Sequence, residues 1–102
     1  MHWNELEVWK QAHAMVLEIY RVTSSFPNAE MYGITSQLRR ASSSVAANIV
    51  EGQSRNSTKD YIHFLYNSRG SLEETRYFLL LSNELNYLAA EEHQQFVFVR
   101  KV

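Results

Sequence analysis

The sequence of 102 residues contains no cysteine, one proline and three glycines. Without cysteine there is no disulfide, thiolate metal ligand or thiol nucleophile, which suits a reducing compartment such as the cytoplasm. The shortage of proline and glycine leaves few forced breaks and favours long helices over many short strands. The apolar run that a membrane span or a signal peptide requires is also missing. These features predict a soluble, cytoplasmic, mainly helical protein without a membrane partner.

The charge of the chain is nearly balanced. Ten Lys and Arg stand against eleven Asp and Glu, for a net charge of −1. Dedicated nucleic-acid binders usually carry a strong basic excess. Binding of nucleic acid would therefore depend on local clusters of positive charge, or on their summation over several copies. The length is that of one small domain, 1–102.

Hydrophobic periodicity predicts an all-α fold, an antiparallel up-down four-helix bundle with a short or irregular fourth helix. The last segment contains the β-prone run Phe96-Val97-Phe98-Val99, which is poorly patterned for an amphipathic helix. The predicted helices are Asn4 to Ser24 with Asn4 as N-cap, about Ile34 to Glu51 with Gly52 as C′ residue, Ser57-Thr58-Lys59-Asp60 (a capping box with Asp for Glu) to Asn86, and Ala89 to Val102.

The apolar faces of the first two helices predict both a core and an association surface. We expect the core to be filled from the second helix by Leu38, Ala41, Val45 and Ile49. The first helix carries two adjoining apolar stripes, more than a bundle core needs. This breadth predicts a homo-oligomer, although the sequence leaves open which stripe faces a partner subunit. The stripes are Leu6, Trp9, His13, Val16, Tyr20 and Val8, Ala12, Met15, Ile19.

Gly70 interrupts the third predicted helix, where glycine costs about 1 kcal/mol relative to alanine. We expect it to permit a close helix–helix contact, with a hinge or the approach of a ligand as the alternatives.

Catalytic chemistry has no positive support in the sequence. Ser42, Ser43 and Ser44 lie within a predicted helix, away from the strained turn and base that a nucleophilic serine needs. The four histidines do not form the paired Glu-x-x-His motifs of a di-iron bundle. Neighbouring glutamates point to different helix faces and are typical of solvated surface. The sequence therefore predicts a non-enzymatic protein with no metal, cofactor or small-molecule substrate.

Basic side chains are the candidate nucleic-acid-binding residues. Arginine can bind phosphate in a bidentate manner, and nearby tyrosines can stack on bases. The same spacing is equally typical of helix surfaces on which arginines pair with acidic neighbours or contact another subunit. The candidates are Arg39, Arg40, Arg55, Lys59 and Arg69.

A resemblance to a known family covers roughly Leu6 to Leu88. Its most specific parts are the Phe-Pro…Tyr-Gly turn, QLRRA, NIVEG and RGSLEE. The chain resembles the four-helix-bundle proteins encoded in intervening sequences of bacterial 23S rRNA genes, whose superfamily includes the accessory protein of diversity-generating retroelements. The resemblance implies a helical bundle and a ring-shaped homo-oligomer such as a pentamer. It also implies phosphate contacts at Arg39, Arg40 and Arg55, as in the basic accessory members, which partner a reverse transcriptase.

Two functional hypotheses follow from the residues and the resemblance. The first is an oligomeric, non-enzymatic scaffold that binds RNA or a ribonucleoprotein through the arginine cluster. The second is a protein–protein interaction scaffold without nucleic-acid binding. A gene located within an rRNA gene does not by itself establish rRNA binding. The chain departs from the family in two respects: members commonly have a longer, regular fourth helix, and the accessory members are basic whereas this chain is slightly acidic.

Overall fold

The computed structural model describes residues 2–96 and 98, and all regular elements among them are helical. The helices are α1 (Glu7–Thr23), α2 (Ile34–Gln53), α3 (Thr58–Glu84) and α4 (Ala90–Gln95), with single 3₁₀ turns at Trp3–Glu5 and Asn28–Glu30. Three long helices and one short helix form the predicted four-helix bundle. The fourth helix is shorter than predicted, since α4 ends before Phe96. The rest of its predicted span, 97 and 99–102, lies outside the described residues.

The second helix is the centre of the bundle, because α1 and α3 both pack against it while α4 packs against α3. The four α2 residues predicted to fill the core, Leu38, Ala41, Val45 and Ile49, are fully buried. From α1, the core receives Ala12, Met15 and Ile19. The neighbouring α1 stripe is only partly covered, and its members His13 and Tyr20 are exposed. The structure thus assigns the core to the second of the two predicted stripes.

Small polar residues line the contact between α2 and α3. Ser68 is fully buried, and its hydroxyl donates to the Val45 carbonyl at 2.7 Å. The Oγ atoms of Ser44 and Ser71 lie 2.9 Å apart across the same contact. Asn48 donates through Nδ2 to the Ser44 carbonyl at 2.8 Å. Small side chains let the two helices approach, and their hydrogen bonds satisfy polar groups that would be costly to bury unpaired.

The helix starts are decided by local contacts that periodicity does not show. The predicted N-cap Asn4 is wrong: α1 begins at Glu7, with Leu6 as its N-cap. Residues Trp3–Glu5 form a 3₁₀ turn instead of the predicted first helical turn, and Trp3 packs on Trp9 with ring centroids 4.9 Å apart. The predicted cap of α3 is confirmed, since Ser57 Oγ accepts a hydrogen bond from the Asp60 amide at 3.1 Å.

The third helix ends at Glu84, two residues before its predicted end at Asn86. Asn86 adopts a positive φ of 64°. The Tyr87 amide donates to the Ser82 carbonyl at 2.9 Å and the Asn86 amide donates to the Asn83 carbonyl at 3.0 Å. This pair of bonds is a Schellman motif, in which asparagine takes the left-handed position usually held by glycine.

The two helical glycines have environments opposite to those predicted. Gly52 is not a C′ residue but lies inside α2 and is buried, and no described glycine has a positive φ. A Cβ at this position would lie 2.8 Å from Tyr61 Cδ1 and 3.1 Å from Phe64 Cβ, both on α3. At Gly70 a Cβ would meet nothing within 4 Å. Close helix packing is therefore at Gly52, and the predicted contact at Gly70 is wrong within the chain.

No helix in the described part of the chain combines the length and the hydropathy that a bilayer span requires.

Candidate functional site

Arg39 lies between α1 and α2 and is half-buried. Its Nε donates to Thr23 Oγ1 at 2.9 Å, and its guanidinium carbon lies 4.6 Å from the centroid of the Tyr20 ring. A cation over an aromatic face is attracted by the ring quadrupole. The side chain is therefore held against α1 by two contacts of its own chain.

Arg40 points to the other side of α2. Successive helical residues project about 100° apart, so Arg40 reaches α3 instead of α1. It donates to Glu74 Oε2 at 2.6 Å and to Gln37 Oε1 at 3.0 Å. Both side chains of the ion pair remain partly exposed, at 55% and 38%, so we expect the pair to contribute about 0–1 kcal/mol. The two adjacent arginines do not form one binding surface.

Arg55 and Lys59 lie at the turn that connects α2 to α3. Arg55 forms an ion pair with Glu51 at 3.3 Å and its guanidinium lies 4.7 Å from the Phe64 ring centroid. Lys59 is exposed in the first turn of α3. A recess of about 230 Å³ opens here, lined in part by Arg55 and Tyr61. Along α2, about 22 Å separate this turn from Arg40, at 1.5 Å per residue.

Arg69 is exposed near the middle of α3. It lines a shallow groove of about 170 Å³ together with Ile62, Leu65 and Tyr66. Among the described residues it has no ion-pair partner. The five predicted basic residues thus occupy separate places, and only Arg55 and Lys59 share one. Their role in nucleic-acid binding stays a prediction.

An apolar stripe on the outer face of α3 was missed by the sequence reasoning. Ile62, Tyr66, Tyr77 and Leu80 are 45%, 65%, 56% and 45% exposed. Helical geometry brings these positions within a sector of about 60° on the side of α3 away from the buried Leu72 and Leu79. We call this stripe, together with Arg69, Gly70 and Glu73 between its halves, the α3 outer face. The spacing of four, eleven and three residues is visible in the sequence, but the sequence interpretation of this helix considered only its buried seam.

A second aromatic feature lies near the N-terminus. The rings of His2, Trp3, Trp9 and His13 follow one another with centroids 4.7, 4.9 and 4.8 Å apart, and Trp9 and His13 are stacked. A recess of about 280 Å³ between this group and the end of α2 is lined by His2, Trp3 and Glu51 among others. Leu6 and Trp9 pack against the core. Through the contact between Trp3 and Trp9, the stack holds the segment before α1 against the bundle.

Two carboxylates connect parts of the chain that are distant in sequence. Glu30 accepts a hydrogen bond from the Tyr87 hydroxyl at 2.9 Å and one from the Ile34 amide at 3.3 Å. The hydrogen bond to Glu30, followed by burial, raises the pKa of Tyr87 above its usual value. On α1, hydrogen bonding from Arg21 lowers the pKa of Glu18. Arg21 also bridges to Glu92 at 3.1 Å and so connects α1 to α4.

The hydroxyls of the serine cluster serve the helices. Ser42 and Ser43 donate to the Arg39 carbonyl at 3.3 and 2.7 Å, and Ser44 makes the contact to Ser71 described above. In the part of the chain that the structure describes, no three His, Asp or Glu side chains are grouped as metal ligands would be.

Comparison with known proteins identifies the family of this bundle. None of the curated proteins compared with the chain is significantly similar to it. The profile of one family matches residues 4–97, which is nearly the whole sequence and includes all four helices. The chain therefore belongs to the family described as 23S rRNA-intervening sequence protein.

Proposed function

We propose that this protein is a non-enzymatic scaffold that associates with copies of itself and presents their combined surface to a partner protein. The observation that carries the proposal is the α3 outer face, where four large apolar side chains are about half exposed. Scattered exposed apolar residues are ordinary, but an aligned stripe on one helix is typical of an interaction site. A cytoplasmic location accompanies the proposal, since a cysteine-free chain suits a reducing compartment.

The environments of the arginines favour the protein-interaction scaffold over the RNA-binding one. Arg40 and Arg55 are paired with Glu74 and Glu51, and Arg39 is held by Thr23 and the Tyr20 ring. An acidic partner at short range cancels much of the potential that would attract phosphate, and the net charge of −1 adds no long-range attraction. To bind RNA, these side chains would have to leave contacts that they already make.

Binding of RNA at the α2–α3 turn is the second candidate function. It is favoured by the proximity of Arg55 and Lys59 to the N-terminal end of α3, where backbone amides and the helix dipole favour an anion. The recess at this turn, with Tyr61 on its wall, offers space for one phosphate group. A ring such as a pentamer would repeat this positive turn once per subunit.

Self-association is tested by light scattering coupled to gel filtration, and by sedimentation velocity, over a hundredfold range of protein concentration. We expect a mass that exceeds the 11.9 kDa of one chain and increases with concentration towards a closed oligomer. A monomer at every concentration would refute the proposed scaffold. A mass of five chains would identify the pentameric ring that the family resemblance implies.

The RNA alternative is tested by fluorescence anisotropy with structured and single-stranded RNA at about 50 mM salt, a condition that favours phosphate contacts. The scaffold proposal predicts no saturable binding. Affinity that falls steeply with salt and is lost in Arg55→Ala/Lys59→Ala would instead establish the second candidate. Arg39→Ala/Arg40→Ala serves as the matched control, because it removes the same charge from the other end of α2.

A further inference from the structure

We propose that copies of this chain associate head to tail, with the α3 outer face of one copy packed against the outer sides of α2 and α1 in the next copy. The proposal rests on the self-association proposed above and names the two surfaces of its contact. Because these surfaces differ from one another, the contact is heterologous, and repeating it around an axis builds a closed ring.

Small side chains form a row along the outer side of α2. Helical geometry brings them within a sector of about 60°, on the side of α2 away from the buried Leu38, Val45 and Ile49. Such a row lets the backbone of a second helix approach, but that helix has to supply the large apolar side chains of the contact. We call this row the α2 seam, and its members are exposed or half-buried: Ser36, Ser43, Ala47, Val50 and Ser54.

Contacts between α2 and α3 of one chain give the relative heights of their residues along the bundle. The Ser71 and Ser44 hydroxyls meet, and Ser68 donates to the Val45 carbonyl, so every other α3 residue is placed against α2 at about 1.5 Å per residue. Rotation about a ring axis parallel to the helices leaves these heights unchanged. Residues that lie at one height in the single chain therefore also meet between neighbouring copies.

The large side chains of the α3 outer face lie at the heights of the small side chains of the α2 seam. The two rows agree to within about 3 Å along the bundle, so each exposed apolar side chain of α3 enters a shallow part of the opposite surface. The row ends where Leu80 lies near the height of Tyr32, which is 97% exposed in the single chain. The other pairs are Tyr77 with Ser36, Tyr66 with Ala47, and Ile62 between Val50 and Ser54.

Gly70 lies near the height of Ser43, in the middle of the contact. A Cβ at position 70 would meet nothing within 4 Å in its own chain, although glycine is unfavourable inside a helix. Glycine opposite serine lets the two helix backbones approach closely there. The neighbouring copy thus explains a glycine that the single chain leaves unexplained.

The exposed stripe of α1 borders the α2 seam and enlarges this surface. Tyr20 contacts Arg39 of α2 and is 46% exposed. His13 is exposed and lies two turns before Tyr20, near the height of Tyr66. The core of the single chain uses the other α1 stripe. The stripe that contains His13 and Tyr20 is therefore the one that we assign to the partner subunit.

Two charges of opposite sign lie at one end of the contact. Lys59 continues the α3 outer face one turn before Ile62, and Glu5 lies in the 3₁₀ turn that packs beside α2. Both side chains are exposed, and among the described residues neither has an ion-pair partner. The head-to-tail contact brings Lys59 of one copy towards Glu5 of the next. Charge therefore favours a second copy of this chain as the occupant of the surface.

The directions of the two surfaces set the number of copies in the ring. The α3 outer face points almost directly away from α2, and the α2 seam points about 110° from that direction when viewed along the bundle. In a ring of n copies these two directions differ by roughly 180° minus 360°/n. An angle of about 110° closes the ring after about five copies. This number agrees with the pentamer that the family resemblance implies.

Each contact between two copies is of moderate area. A half-exposed tyrosine has roughly 100 Å² left to bury. The α3 outer face together with the α2 seam and the α1 stripe gives a contact of roughly 1,000 Å², near the lower limit of a specific interface. Every copy in a closed ring makes two such contacts, so we expect the ring to be more stable than an open dimer.

Blocking one surface at a time, followed by mixing, tests the contact. Tyr66→Glu places a carboxylate on the α3 outer face and Ala47→Glu places one on the α2 seam, at positions that are exposed in the single chain. We expect each variant alone to associate only at about tenfold or higher concentration than the natural sequence. Sedimentation velocity measures the association, and circular dichroism checks that each variant is folded.

An equimolar mixture of these two variants retains one complete contact. The intact α2 seam of Tyr66→Glu meets the intact α3 outer face of Ala47→Glu, whereas the other surface of each variant is blocked. At high concentration the mixture should therefore form a dimer, of twice the 11.9 kDa of one chain, that does not grow into a ring.

The absence of cysteine from the sequence allows a direct cross-linking test. Tyr66→Cys and Ala47→Cys are prepared separately, mixed and oxidised. The head-to-tail contact brings the two thiols of different copies together, so the mixture should give a disulfide-linked dimer on a non-reducing gel, and neither variant alone should do so. A linked dimer of Tyr66→Cys alone would indicate a two-fold contact and overturn the proposal.

Gln11→Glu is the control for the added charge. Gln11 lies on the side of α1 opposite Tyr20, where it lines a recess with Phe96. We expect this variant to associate like the natural sequence. Unchanged association in Ala47→Glu, or a mixture of the cysteine variants that gives no linked dimer, would overturn the head-to-tail contact.

The results of these experiments separate this inference from the proposed scaffold. A natural protein that is monomeric at every concentration refutes both. A natural protein that associates while Tyr66→Glu and Ala47→Glu have no effect retains the scaffold and overturns the contact between the α3 outer face and the α2 seam.

Discussion

Replacing each helical glycine in turn by alanine tests the described packing of α2 against α3. Gly70 lies in the interior of α3 and Gly52 in the last turn of α2, so alanine should add up to about 1 kcal/mol of helix propensity at each. At Gly70 the new methyl group meets nothing within 4 Å, and the gain should be fully expressed. The unfolding free energy of Gly70→Ala should therefore increase by roughly 0.5–1 kcal/mol.

At Gly52 the same methyl group meets α3. Its distances of 2.8 Å to Tyr61 Cδ1 and 3.1 Å to Phe64 Cβ are shorter than ordinary carbon contacts. Phe64 Cβ lies next to the backbone and cannot rotate away, so α3 has to move. Overpacking of this kind costs about 1–3 kcal/mol, which exceeds or cancels the propensity gain. We expect Gly52→Ala to be about 0–2 kcal/mol less stable than the natural protein, and about 0.5–3 kcal/mol less stable than Gly70→Ala.

Urea unfolding followed by circular dichroism gives both free energies by linear extrapolation. Both variants are unfolded at the same low protein concentration, so that any association contributes equally to the two free energies. A Gly52→Ala protein as stable as Gly70→Ala would contradict the close approach of α2 and α3 at Gly52. A Gly70→Ala protein that loses stability would show that Gly70 does have a neighbour in the folded chain.

Three further predictions concern a cap, the core and a tyrosine. Ser57→Ala removes the hydrogen bond to the Asp60 amide and should cost about 1 kcal/mol in urea unfolding; an unchanged midpoint would contradict this cap. Leu79 is fully buried, so Leu79→Ala should cost about 2–5 kcal/mol, and a loss within 0.5 kcal/mol, the usual range of surface substitutions, would refute its core position. Because the folded pKa of Tyr87 is raised, its hydrogen bond to Glu30 stabilises the fold below the ordinary tyrosine pKa of about 10 and is lost as the pH rises through the folded value. The stability of the natural protein should thus decrease above pH 10 more than that of Tyr87→Phe; parallel curves would exclude this coupling.

The helices were predictable because their signals are local. Apolar periodicity located the three long helices, and the Ser57 cap followed from residue types within one turn. The errors were at positions where a distant residue decides. Asn4 is a good N-cap residue, yet it lies in a 3₁₀ turn whose Trp3 packs on Trp9, and α1 begins at Glu7.

Glycine was the least predictable residue type. Gly52 resembles a helix terminator in sequence, since it follows the last apolar residues of α2, but it is required by the side chains of Tyr61 and Phe64 on α3 that lie against it. Gly70 resembles a packing residue in sequence, but it is exposed in the single chain, and a Cβ there would contact nothing within 4 Å. Local sequence reports that a glycine is present, whereas only the neighbouring helix shows what a side chain there would meet.

The candidate site was only partly predictable for a related reason. Charged residues that are adjacent in sequence were expected to act together, but Arg39 and Arg40 face different helices. The α3 outer face was encoded at regular spacing and yet was missed, because α3 also has a core seam of the same period. Periodicity alone does not say which of two stripes is buried.

The sequence by itself determined the fold class, the family and the core residues of α2, because these depend on residue types repeated along helices. The tertiary structure decided which stripe of α1 is buried, how the arginines are divided among neighbours and which glycine is needed for packing. These properties depend on contacts between residues far apart in the chain. The identity of a contact partner is set by how the helices pack, and a pattern along one helix does not contain it.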